Sequence, residues 1–417
     1  MDNVLIEKKV LNIDKSTWKL TKLGDLLEDI SQRVDNPSQS GYDRFVGLDH
    51  FLSGDIKIKN WGTTENLTSS TKAFKAGDIL FARRNAYLRR ASLVDFDGCC
   101  SGDAFVLREN HNKVVPGFLS FFMNSNTVWD FANENAAGTM SKRVKWRDLA
   151  NYEFLLPPKD QQAQLAKLLW ALDMVIEKEL KLLKACSNLK NSLSNDLLLG
   201  KHLAGAKNKK SPYGFIPDKW SLVNLYDLRD PKDRYSFTGG PFGSDLKSEH
   251  YTDQGVRILQ LQNIGEGEFL DNYSIFTSEE KADELSSCNI YPNEIILAKM
   301  APVARCCIVP SNDKRYVMSS DGIRLKINKE LYDNKFVYHA LNSTHFRRFA
   351  ETKSTGSTRG RIGLNELKRI LIPMPESLDR QKEIADQLDL IDINRDNCKA
   401  KIESTKALQK SIINQVF

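Results

Sequence analysis

The sequence predicts a mixed α/β (α+β) chain of two tandem domains, each followed by a long helix, the two helices pairing as an antiparallel coiled coil. Three observations predict it. One set of motifs occurs twice in the same order, short apolar runs within each set are entered from turn residues, and each set ends in a long stretch whose apolar residues step by four and three.

The duplication comes first because it organises everything else. Trp18–Leu26 returns as Trp220–Leu228, and Gly77–Arg83 returns as Asn293–Lys299. Ser101-Gly102-Asp103, followed by Leu107-Arg108, returns as Ser319-Ser320-Asp321, followed by Leu325-Lys326. Gly138-Thr139 matches Gly356-Ser357, Arg143 matches Arg361, and Asp160–Ala166 matches Asp379–Ala385. Register held over so many blocks identifies one duplicated unit. With 417 residues the chain is also long enough for two domains with full apolar cores.

The first domain spans 1–158. Ala76–Ala82 reads as a buried strand entered from a turn, and Gly117–Met123 as a helix packed on a sheet. The first long helix follows over 159–199, with Asp160 as its N-cap after Pro157-Pro158. Its inward positions are Leu165, Leu169, Leu172, Ile176, Leu183, Leu193 and Leu197, interrupted by Glu179, Cys186 and Lys190. At about 1.5 Å per residue, a helix of about 38 residues is roughly 57 Å long. Gly200 stops it, and 200–215 is a basic linker.

The second domain spans 216–377, with Asn293–Ala298 and Lys335–Leu341 repeating the strand and helix signals. The second long helix, 378–417, places Ile384, Leu388, Ile391, Ile402, Ile412 and Val416 inward, with Arg395, Cys398, Thr405 and Gln409 between them. Each helix could instead lie as an amphipathic helix on its own domain; the shared heptad register favours pairing. The polar inward positions either fix the register or face a further helix from another subunit.

Composition excludes several classes. An apolar fraction of 41% with 27% charge rules out wholesale disorder, and no run approaches the roughly 20 apolar residues of a membrane span. The early charges of Met1–Lys9 do not form a secretory leader, so the chain reads as cytoplasmic. Seven cysteines without a Cys-x-x-Cys fit small buried thiols better than a disulfide scaffold or a metal site. The net charge of +6 is too small to announce nucleic acid, so the placement of basic residues must decide.

That placement is informative. Arg83, Arg84, Tyr87, Arg89 and Arg90 directly follow the strand of the first domain, and arginine forks suit guanine edges and phosphates. Lys299 and Arg305 are the counterparts in the second. Thr139, Ser141, Lys142, Arg143 and Lys145 form a hydroxyl-rich basic loop ahead of a helix, as do Ser357, Thr358, Arg359 and Arg361. Such loops suit phosphates, although any one of them alone could be a solvated basic surface. Lys142, Arg143, Arg359 and Arg361 are assigned to phosphates, Arg83 or Arg89 to base edges. No catalytic motif accompanies them. Phe237–Asp245 is glycine-rich but lacks nucleotide-loop spacing, an apolar strand before it and a Lys-Ser/Thr ending. Ser101 and Ser319 read as turn residues, not nucleophiles.

Leu156-Pro157-Pro158-Lys159-Asp160-Gln161-Gln162, Ile372-Pro373-Met374-Pro375 through Arg380-Gln381, Gly240–Ser248 and Gly356–Thr358, in doubled order, make the chain similar to the DNA-sequence specificity subunits of Type I restriction–modification systems. The resemblance runs from about Trp18 to Phe417. It implies two target-recognition domains, each reading half of a bipartite site in double-stranded DNA, with the helix pair as a ruler. Ser244 and Lys247 enter the candidate DNA-binding set through it. It further implies a non-catalytic subunit without a cofactor of its own, joined by two methyltransferase subunits using S-adenosylmethionine and two ATP-driven restriction subunits. The differing loops of the two domains point to an asymmetric site. The alternative is a two-domain scaffold or interaction protein without sequence-specific DNA binding.

Overall fold

The computed structural model describes residues 13–30, 32–203, 207–356 and 360–417. They divide into two compact units, one of residues up to Leu182 together with Cys398–Phe417, the other Leu183–Asn397.

In the first unit the strand Ile79–Ala82 is buried at all four positions. Alternation explains why the run carries no polar residue: Ile79 and Phe81 face one core and Leu80 faces another. The strand lies inside an antiparallel sheet of order Leu27–Asp29, Ala104–Glu109, Ile79–Ala82, Ala91–Leu93. Helical residues including Leu119, Val128 and Trp129 share the first core, where Phe81 stacks on Trp129 at 4.5 Å. Val46, Phe74 and Cys100, from a five-stranded sheet, share the second. That sheet runs Arg33–Val34, Thr71–Phe74, Gly98–Cys100, Arg44–Val46, Gly62–Thr63, with one parallel pair between Gly98–Cys100 and Arg44–Val46. The strands Lys19–Lys22 and Glu153–Leu156 pair antiparallel and tie the ends of the domain together.

The second unit repeats the plan. Phe237–Gly239, Gly322–Leu325, Ile295–Ala298 and Cys306–Ile308 form the four-stranded sheet, and Ser221–Asn224 pairs with Leu371–Met374. Its five-stranded sheet runs Tyr251–Thr252, Ile275–Thr277, Val256–Leu259, Tyr316–Met318, Asn289–Ile290, with the parallel pair in the same place. The edge strand differs. It extends the sheet beyond Thr71–Phe74 in the first domain, but on the opposite side, beyond Ile275–Thr277, in the second.

The glycine-rich stretch itself opens on a three-residue strand, Phe237–Gly239, with only Phe237 buried. Two expectations are corrected. The stretch 200–215 is not a plain linker, because Asn208–Ser211 and Gly214–Pro217 form a hairpin. Asp160 is not the N-cap, since the helix begins at Lys159; Asp160 instead places its charge in the first turn, where the helix dipole favours it. Gly200 does end that helix: its φ is +67°, and a Cβ there would lie 2.5 Å from the Pro217 ring.

The long helices, Lys159–Leu198 and Leu378–Val416, pack together antiparallel. Gln409 donates to the Leu169 carbonyl at 3.4 Å, Lys401 to Glu179 at 2.5 Å, and Lys190 to Asp392 at 2.6 Å, so the partner number falls as the first rises. Arg395 also meets Asp392, at 3.1 Å. All four charged or amide side chains at inward positions therefore find polar partners; those of Glu179, Lys190 and Gln409 lie across the pair and tie its register, while Arg395 bonds within its own helix. Leu169, Ile176, Leu197, Ile384, Leu388, Ile391, Ile402, Ile412 and Val416 are buried, while Leu165, Leu172, Leu183 and Leu193 are half-buried. Pairing is only part of their role. Leu197, Ile384 and Leu388 enter the main core of the second domain, and Ile412 and Val416 pack with Trp18 and Phe121 of the first. Among the described residues no helix is long and apolar enough to cross a membrane.

Candidate nucleic-acid interface

In the first domain the basic residues gather around one carboxylate. The Arg83 amide donates to the Asp103 carbonyl at 3.0 Å, and the Val144 amide donates to the Arg83 carbonyl at 2.9 Å. Asn85 and Lys142 are joined by a further backbone bond of 3.0 Å, so the turn after the strand and the loop before the helix Trp146–Leu149 are stitched together. Arg143 then grips Asp103 with two nitrogens, at 2.8 and 3.2 Å, while Arg83 and Arg84 each approach it to 3.7 Å. Arg84 also donates to the Ser141 hydroxyl at 3.0 Å. The Arg143 bonds are the main reason the Asp103 carboxyl sits below its ordinary range. Three guanidiniums share one carboxylate, leaving an excess of positive charge at a rigid loop junction.

The second domain rebuilds the backbone of this junction bond for bond. Lys299 donates from its amide to the Asp321 carbonyl at 2.8 Å and accepts from the Ile362 amide at 2.9 Å. Ala301 and Gly360 supply the cross-link at 2.9 Å, and Arg361 meets Asp321 at 3.4 Å. The charge is smaller, with one lysine and one arginine at the acid. Burial, with Arg361 nearby, pulls the Lys299 ammonium below its usual value, and Lys299 donates to the Ser320 carbonyl at 2.6 Å.

Ser244 and Lys247 line the same cleft of about 1190 Å³ as Lys299 and Arg361, so the glycine-rich loop belongs to this site. Thr139, Lys142 and Lys145 are exposed beside the first junction, and Tyr87 is 67% exposed at the tip of its turn. Other candidates are spent on the protein itself. Arg89 bonds Asn126 at 2.6 Å and Asp130 at 3.0 Å. Arg90 bonds the carbonyls of Leu48 and Arg84, and burial lowers its pKa. Arg305 bonds the Leu261 carbonyl at 2.7 Å. Ser357, Thr358 and Arg359 lie outside the described residues.

Asp103 and Asp321 are the site residues that sequence reasoning missed, since it placed them only in turns. The turn reading of Ser101 is sound, because its hydroxyl accepts from the Asp103 amide at 3.2 Å. The overlooked signal was an acid recurring with the same basic partners in both copies. The seven cysteines are free, and burial pushes the Cys100 and Cys306 thiols up to about 12. Among the described residues no group of three or more His, Cys, Asp or Glu side chains could hold a metal ion.

A family model described as Type I restriction modification DNA specificity domain matches residues 15–185 and 246–406. The specificity subunit of the Type I restriction enzyme MjaVIII of Methanocaldococcus jannaschii is 25% identical over 417 residues, covering 95% of this chain and 91% of that protein. The crystal structure of a Type I restriction–modification system S subunit from M. genitalium matches with a TM-score of 0.59 at 16% identity, covering 98% and 97% of the two chains. A chain from a structure addressing complex assembly and conformational transition of the type I R-M system matches with a TM-score of 0.53 at 20% identity, covering 95% and 96%. These two structural likenesses speak to the fold.

Proposed function

The chain belongs to the family of Type I restriction–modification DNA specificity subunits, and on that footing we propose that it is a non-catalytic subunit reading an asymmetric, bipartite site in double-stranded DNA. Each domain takes one half-site, and the long helix pair sets the gap between them. The observation that carries this reading is the pair of matching loop junctions, Asp103 with Arg83, Arg84 and Arg143, and Asp321 with Lys299 and Arg361. A carboxylate that fixes arginines without neutralising them all keeps their forks ordered for bases and phosphates. The asymmetry follows from the differing charge of the two junctions, since identical domains about a two-fold axis would demand a palindrome.

In this reading the subunit acts in the cytoplasm and brings two methyltransferase and two restriction subunits to the site. S-adenosylmethionine and ATP are used on those partners. The test is selection from random-sequence duplexes at near-physiological salt, using the full chain with its co-purifying methyltransferase. A split motif with a fixed gap is expected. Failure to enrich any motif would replace this reading with a two-domain scaffold.

A further inference from the structure

The glycine-rich loop of the second domain separates two concavities of different chemistry. Gly240 fixes its base: the amide donates to the Gly322 carbonyl at 2.9 Å, and a Cβ on Gly240 would lie 1.8 Å from the Ser319 carbonyl oxygen. Pro241 is buried, and a turn bond of 2.9 Å from the Asp245 amide to the Phe242 carbonyl closes the tip. Phe242 is thereby held 83% exposed on a well-anchored loop. A ring held outward on an anchored loop presents its π face for stacking at little cost in ordering.

On one flank of Phe242 lies the cleft with Lys299 and Arg361. Its charges are largely matched: Lys247 with Glu249 at 3.6 Å, Lys281 with Glu284 at 2.8 Å, and Arg361 with Asp321. On the other flank is a groove of about 350 Å³ lined by Tyr251, Gln260 and Gln262, with Asp321 shared between the two. Gln262 Nε2 donates to Gln260 Oε1 at 3.2 Å. That bond leaves Gln260 Nε2 to donate and Gln262 Oε1 to accept. That pattern complements the N7 acceptor and N6 donor of an adenine edge in the major groove.

We propose that this groove is the base-reading surface of the second domain, with Phe242 stacking on or wedging at one base step and the Gln260–Gln262 pair reading an adenine beside it. The proposal rests on the DNA-recognition reading above. Because opposing charges nearly cancel on the neighbouring flank, discrimination here comes from stacking and amide hydrogen bonds more than from attraction to phosphate. In the first domain the segment that follows the matching strand, Ile30–Val34, carries no aromatic residue, so the effect belongs to one half-site.

The test uses the full chain with its co-purifying methyltransferase. If the wild-type preparation selects no split motif, the functional reading itself fails. With a motif in hand, Phe242→Ala should weaken binding to it by about tenfold and erase preference at one step of one half-site, leaving the other half unchanged. Gln262→Ala should lose an adenine in that same half. A 2-aminopurine placed at the affected step should brighten when wild type binds and stay dim with Phe242→Ala, or with Phe242→Ser should the alanine loop misfold. Variants that select the wild-type motif at wild-type affinity, with unchanged 2-aminopurine fluorescence, overturn the proposal.

Discussion

Lys190 of the first long helix donates at 2.6 Å to both carboxylate oxygens of Asp392 on the second. Both side chains are mostly buried, at 19% and 15% exposure, and Arg395 meets the same acid at 3.1 Å. Lys190→Ala should therefore destabilise the chain by about 1–2 kcal/mol, between the exposed and fully buried limits for an ion pair. Lys190→Leu, which fills the seam with apolar atoms, should lose less. Chemical denaturation of the two variants measures the difference, and equal losses would show that the lost charge, not packing, sets the cost.

Asp103→Ala should separate affinity from discrimination. Removing the carboxylate leaves Arg83, Arg84 and Arg143 mutually repelling and unordered. Binding to random duplex should hold or rise, with a steeper salt dependence, while preference for the selected site falls. Titrations on both duplexes at several salt concentrations check it. Discrimination unchanged from wild type would remove Asp103 from the organising role.

Lys142 is exposed and joins the loop junction through its backbone carbonyl, which leaves its ammonium available to phosphate. Lys142→Ala should weaken selected and random duplexes alike and reduce the salt slope by about one counterion. A loss confined to the selected duplex would make it a base contact instead.

Arg90 should behave oppositely. Its fork holds the carbonyls of Leu48 and Arg84, so Arg90→Ala is expected to lower stability by about 1–3 kcal/mol while leaving the selected motif intact. Thermal melting and repeated selection report the two effects separately.

His345 gives a pH signature. It packs against Tyr213 and lies 3.3 Å from the Asn195 side chain, and burial lowers its pKa from 6.5 to about 4. The folded state thus refuses a proton that the unfolded state accepts below 6.5. Its contribution is complete above that value, shrinks as pH falls from 6.5 toward 4, and changes little below, for a total of at most about 3 kcal/mol. His345→Gln should flatten stability across this window; an unaltered slope in denaturation midpoints would show that other groups govern it.

The layout was legible because it rests on local and repeated signals. Heptad steps marked Leu169, Ile176, Leu388, Ile391 and Ile402 as inward without any knowledge of their partners, and an uninterrupted Ile79–Ala82 marked a strand covered on both faces. The candidate site was legible only in part. Arg83, Arg84 and Arg143 do converge, yet Arg89 and Arg90, equally prominent in sequence, are absorbed by Asn126, Asp130 and backbone carbonyls. Nothing in a run of arginines tells which forks face solvent.

A duplicated α/β unit, two long helices of common register and a basic, hydroxyl-rich loop in each copy follow from the order of amino acids alone, since periodicity and repetition are properties of the chain. Three further features required the folded coordinates. Asp103 and Asp321 organise those loops, Glu179, Lys190, Arg395 and Gln409 meet polar partners, and Phe242 stands between a charged cleft and an amide-lined groove. Apart from Arg395, which meets Asp392 within its own helix, each depends on atoms far apart in sequence coming within a few ångströms. Hydrogen bonds and ion pairs have that short reach, so their partners are chosen by the fold.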